Sequence, residues 1–150
     1  MWRIDSRKYL YFYRMLKKIF STTFYQPIGH LWLLLLRMVI SIFMIIHGFP
    51  KLMKLFSGNI EFADPLGIGE LSSLSLVVFA EVICSILIFF GAATRIASIP
   101  LIITMAVAAF VIHQDDPFMI KEKAFLYLLI YFNLLIFGPG KYSVDNRIGK

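Results

Sequence analysis

The sequence predicts an all-α integral membrane protein: a four-helix bundle preceded by an N-terminal amphipathic helix lying at the membrane interface. Three observations carry this. Hydrophobic residues make up 59% of the 150 positions, against about 45–50% in a soluble domain. Charged residues make up only 16%, where about 25% is usual. The apolar residues also gather into stretches close to the roughly 20 residues that cross the hydrocarbon layer, and mean hydropathy is +0.79.

The first element covers residues 1–30. It holds Arg3, Arg7, Lys8, Arg14, Lys17 and Lys18 against Asp5 alone, which is almost all of the formal charge of +6. Tyr9, Phe12, Tyr13, Leu16 and Phe20 fall on one helical face, with Arg7, Arg14 and Lys18 on another. Such a segment suits the cytoplasmic headgroup layer, where basic residues meet anionic lipid and aromatic rings sit at the interface. A basic terminus without a reading element is a poor case for nucleic-acid binding, and none is expected.

Residues 31–145 hold four expected spans, and 146–150 form a short cytoplasmic tail. The spans are Leu31–Phe49, about Leu71–Ala93, Ile96–Ile112, and Ala124–Phe137. The first starts too late and has the wrong flanks for a signal peptide. Gly and Pro mark the connection after Phe49 as a loop, with a short helix around Leu52–Phe56. The tight "AATR" turn makes the second and third spans a hairpin. The fourth has a short uncharged part, so it needs aromatic ends or shelter among the others. Short connections make all four antiparallel neighbours.

Charge then orients them. The first connection carries Lys51 and Lys54 against Glu61, Asp64 and Glu70; the third carries Lys121 and Lys123 against Asp115, Asp116 and Glu122. Both are net negative. The turn with Arg95 and the tail with Lys141, Arg147 and Lys150 are positive. The positive-inside rule places both termini and Arg95 in the cytoplasm and His47 and His113 at the outer mouth.

Ionisable groups inside the spans are costly and usually paired. Arg37 in the first and Glu81 in the second are expected to form a buried ion pair. Arg37, Ser41, His47, Gly48 and Lys51 share one face of the first helix. His47, Lys51, His113 and Glu122 can gather at the outer end, where three readings stand. They bind a metal through nitrogen and oxygen, they line a pocket for a polar ligand head such as a quinone, or they close the bundle by hydrogen bonding. No tight metal-spacing motif is present, and no metal is assigned. Cys84 is the one cysteine, so an intramolecular disulfide or a CxxC redox pair is impossible. No hydrolase elbow, phosphate loop or haem motif occurs.

The stretches "LRMVISIFMIIHGFPKL", "EFADPLGIGELSSLSLVVFAEVICSILIFFGAATRIASIPLIITMAVAAFVIHQDD" and "KEKAFLYLLIYFNLLIFGPGKYSVD" together resemble the DoxX family of small membrane proteins. The punctuation carries the resemblance: an arginine opening the first helix core, His-Gly and Lys-Leu ending it, a glutamate mid-second helix, Thr-Arg after it, a histidine ending the third, a glutamate opening the fourth, and Gly-Pro-Gly-Lys-Tyr-Ser-Val-Asp closing it. The resemblance covers about Leu36 to Asp145 and leaves the first 30 residues outside. It implies a four-helix membrane fold and a role as accessory subunit of a quinone-linked redox system or as a partner in thiol-oxidation and stress complexes, with polar positions at Arg37, His47, Lys51, Glu81, Arg95, His113 and Glu122. It therefore implies quinone as ligand and a membrane or redox protein as partner beside the lipid bilayer. Activity through paired cysteines, found in a related group, has no support in this chain. The rival reading is a structural or assembly subunit of a larger membrane complex, without a ligand of its own.

Overall fold

The computed structural model describes residues 10–15, 26–58 and 60–149. Residues 10–15 are helical and exposed; the rest of the expected interfacial helix lies outside the described residues. Five further helices follow: α1 Gln26–Ser57, α2 Glu70–Phe90, α3 Thr94–Ile112, α4 Phe118–Phe137 and the short α5 Val144–Ile148. No strand occurs among the described residues. Helices α1, α2 and α3 are long and apolar enough to cross a membrane. Helix α4 carries Lys121, Glu122 and Lys123 in its second turn and so has a shorter uncharged run.

Helix α2 packs against α1 and α3, and α4 lies along α3 and reaches α1. Met44, Ile88, Leu101, Tyr131 and Leu134 form the centre, all wholly buried. Small residues, Ala80, Ala97 and Ala109, lie between the helices and allow their backbones to approach. The opposite faces are apolar too: Phe43 and Ile46 on α1, Phe79 and Ile86 on α2, Ile96 and Ile103 on α3, Leu129 and Ile136 on α4 are all exposed. Helices apolar all round belong in lipid rather than water.

The expected end of the first span at Phe49 is corrected. Helix α1 runs unbroken through Pro50 to Ser57. A proline removes one helical hydrogen bond and clashes with the preceding turn, at about 3 kcal/mol in a helix interior. Tertiary contacts on both sides of Pro50 offset that cost. Before it, Gly48 lies so close to α2 that an added Cβ would come within 2.8 Å of the Glu81 Cβ and 3.0 Å of Val82. Beyond it, Lys51 bonds to Glu81. Helix α4 likewise begins earlier than Ala124, because Pro117 stops the preceding turn and a helix can start directly behind it.

Helix α2 is not regular throughout. Phe79–Cys84 forms a π-helical turn, and Ala108–Ile112 ends α3 in another. Such turns recur at functional sites, and here both border the same cavity.

Candidate functional site: a cavity at the lysine–glutamate pair and a knot at the opposite end

Lys51 Nζ lies 2.5 Å from Glu81 Oε1. The Glu81 side chain is 1% exposed and that of Lys51 25%. Glu81 thus has a cationic partner, but it is Lys51 and not Arg37. The reason is the helical continuation through Pro50. Lys51 sits one turn beyond Gly48, where α1 and α2 come closest, so its chain reaches the carboxylate directly.

Both residues line a cavity of about 130 Å³ between α1, α2, α3 and the segment after Ile60. Its walls are otherwise apolar, with Phe62, Leu66, Ile103 and Ile112 among them. A cavity of about 150 Å³ accepts a single benzene-sized ring, so this one is on the scale of one ring. Glu81 Oε2 is buried without a protein partner. The cavity therefore offers a cation, a hydrogen-bond acceptor and a ring-sized apolar space.

A carboxylate counted in the sequence only as loop charge, Asp64, holds one wall of the cavity. Asp64 accepts hydrogen bonds from the Ser73 hydroxyl at 2.8 Å, Gly69 N at 2.8 Å and Ile68 N at 3.0 Å. The Ser73 hydroxyl first, then these backbone amides, hold the Asp64 carboxyl below its ordinary range. The turn so closed presents Pro65, Leu66 and Ile68 to the cavity. "ADPLGIGE" carried the signal: an Asp ahead of a Gly- and Pro-rich turn is a residue type whose side chain accepts from nearby backbone amides.

Of the four residues expected at the outer mouth, the structure brings only Lys51 to the cavity wall. His113 Nδ1 pairs with Asp116 Oδ2 at 2.6 Å. His47 and Glu122 are exposed. No group of three metal-ligating side chains occurs among the described residues.

Arg37 lies at the other end and is 1% exposed. Its Nη2 donates to the Tyr142 carbonyl at 2.7 Å, and the Asp145 carboxylate acts on it at longer range. The segment Gly138–Asp145, expected only as punctuation, is a knot. Asp145 accepts from Ala93 N at 2.6 Å and Thr94 N at 2.9 Å, capping α3, while its own N–H donates to Gly91 O at 2.9 Å. Arg95 Nη2 donates to the Ile136 carbonyl at 3.1 Å at the end of α4. Gly91, with φ 71°, leaves the space that the Arg37 guanidinium occupies; a Cβ there would also lie 2.6 Å from the Ser143 Cβ. The predicted Arg37–Glu81 pair fails because this knot supplies Arg37 with an acceptor and a counter-charge that sequence order hides.

The fold and the two buried ionic centres define a helical membrane protein with a polar interior seam. The family model described as DoxX matches residues 32–114, and the chain belongs to that family. A Bacillus subtilis protein, named provisionally as the oxidoreductase CatD, is 32% identical over 119 residues, covering 78% of this chain and 87% of its own. An uncharacterised Haemophilus influenzae protein is 30% identical over 130 residues, covering 79% and 92% respectively. No solved structure matches.

Proposed function

We propose that this DoxX protein is an accessory subunit of a quinone-linked redox system, and that the cavity at Lys51 and Glu81 holds the quinone ring. The carrying observation is the pairing of ring-sized apolar space with a partly exposed cation and a buried, unpartnered carboxylate oxygen. Lys51 donates to a ring carbonyl of the oxidised quinone, and Glu81 Oε2 accepts from a ring hydroxyl of the reduced quinol. The apolar walls exclude water from both contacts, which strengthens them. A bound quinone would carry the electrons and the partner protein would exchange them; this chain binds and orients the ring. The name of the Bacillus subtilis relative agrees with redox chemistry.

In this reading α1 to α4 form a four-helix transmembrane bundle in the bacterial inner membrane. Both termini are cytoplasmic, with Arg95 and the basic tail on the inner side. The cavity then opens near the outer leaflet, from which a lipid-soluble ring enters.

Thermal melting in detergent with a short-chain quinone tests this. The wild type gains several degrees, Lys51→Met loses the gain, and His47→Ala and His113→Ala, which stand outside the cavity wall, keep it. Equal melting with and without quinone in the wild type refutes the pocket.

A further inference from the structure

Ser41 Oγ, Glu81 Oε2, Ser85 Oγ, Thr94 Oγ1, Tyr131 OH and two nitrogens of Arg37 are buried without a protein partner. They are not scattered. All lie in the seam between the Lys51–Glu81 pair and the Arg37–Asp145 knot. On α1, Arg37, Ser41, Gly48 and Lys51 follow one face, and Lys51 stands about 21 Å from Arg37 along the axis at about 1.5 Å per residue. On α2, Glu81 and Ser85 are about one turn apart, and Gly91 meets Arg37 at the far end. Tyr131 enters from α4, wholly buried, against Ser85 and Glu81. Thr94 closes the row beside Asp145.

Orphaned hydroxyls in an apolar interior are satisfied by buried water, which takes two to four polar partners. A hydroxyl both donates and accepts, so a row of hydroxyls with water between them passes protons by exchange. Ionisable groups inside membrane spans commonly mark such relays. We propose that this seam is a proton path from Glu81 to the Arg37 knot.

A proton enters on Glu81 Oε2, each step breaks one O–H bond and forms another along Ser85, Tyr131 and Ser41, with water between them, and the proton leaves past Thr94 to the half-buried Asp145 carboxylate and from there to bulk water. Every hydroxyl ends as it began, and no electron moves. The titratable groups that act on Glu81 are Lys51 from α1 and Tyr127 and Tyr131 from α4, while Cys84 on its own helix acts on Tyr131; α3 offers the Thr104 hydroxyl to the cavity. At the far end the fixed charge of Arg37 repels an arriving proton, so Arg37 is the barrier that sets the rate. The path requires no quinone, and its failure is distinguishable from failure of the ligand reading.

The test is proton flux into phosphatidylcholine vesicles containing the full chain, a trapped pH dye and a valinomycin-imposed potassium potential, without quinone. The wild type acidifies the lumen several-fold faster than protein-free vesicles. Glu81→Gln and the double variant Ser85→Ala with Tyr131→Phe fall to the protein-free rate while keeping wild-type size-exclusion profiles and helical circular dichroism. Arg37→Gln, which retains a donor for the Tyr142 carbonyl, conducts about tenfold faster than wild type. Wild-type flux at the protein-free rate overturns the proposal, as does flux unchanged by both Glu81→Gln and the double variant.

Discussion

Arg37 and Lys51 stand on the same face of α1, yet they are held in opposite ways. Arg37 is almost wholly buried and rests on a backbone carbonyl, with its counter-charge at a distance. Lys51 is partly exposed and touches a carboxylate directly. The first arrangement is a structural anchor: the C-terminal segment folds around a cation that cannot lose its proton. The second leaves one carboxylate oxygen, an open wall and a flexible ammonium, which is what a binding site needs. A guanidinium offers five fixed donors and suits the knot; an ammonium on a mobile stem suits the cavity.

Removing each cation breaks or sharpens this contrast. Arg37→Leu strips the Tyr142 carbonyl and Asp145 of their partner and is expected to cost about 3–5 kcal/mol, the usual penalty for breaking a buried charged contact. It appears as lost folded yield and a sharply lower melting temperature. Gly91→Ala should approach it, because the new Cβ meets the same guanidinium and φ is left-handed. Comparable melting of Arg37→Leu and wild type would abolish the anchor role.

Lys51→Met should be milder, about 1–2 kcal/mol, since the pair is partly exposed and the abandoned Glu81 can take a proton. Adding Glu81→Gln to Lys51→Met should recover part of the loss. If the double variant is as unstable as the sum of the singles, the two residues do not act as a pair.

Asp64 gives a pH-dependent effect on the cavity side alone. Its carboxyl lies below the ordinary value, so the folded turn favours the charged form. That contribution is complete above about pH 4, the unfolded value, and is lost as pH falls through the lowered folded value. Hydrogen exchange at Ile68 and Gly69 should stay slow above pH 4, accelerate relative to intrinsic exchange in stronger acid, and be fast at neutral pH in Asp64→Asn. The Arg37 knot should show no such change from Asp64→Asn. Pro50→Ala is the one change expected to stabilise, by up to about 3 kcal/mol, because one helical hydrogen bond returns and the clash with the preceding turn is relieved. A large loss there would show that the ring itself packs in α1.

Much of this was legible in the chain. The apolar runs place α2 and α3 within three residues of their observed bounds and the first span inside the longer α1, and the spacing of Arg37, Ser41, Gly48 and Lys51 marks the inward face of α1. Charged residues in an apolar run have few places to go, so Arg37 and Glu81 were identifiable as buried. Their partners were not. Glycine and proline end the first span at Phe49 in the sequence, which assigned Lys51 to the outer mouth beside the histidines and Glu81 to Arg37. A tail beyond the last apolar run gives no sign that Tyr142 and Asp145 turn back on α1 and α3. His47 and His113 pointed to the outer mouth, but one or two residues of helical phase decide whether a side chain faces a cavity or the surroundings.

The sequence by itself determined the class of protein, because hydropathy and helical period are local properties that each segment carries with it. It also determined which side chains must be buried at a cost. The tertiary structure alone decided which cation meets which acceptor. That choice depends on how closely Gly48 lets two helices approach and on where Gly138–Asp145 folds back, and both are set by packing between segments far apart in the chain.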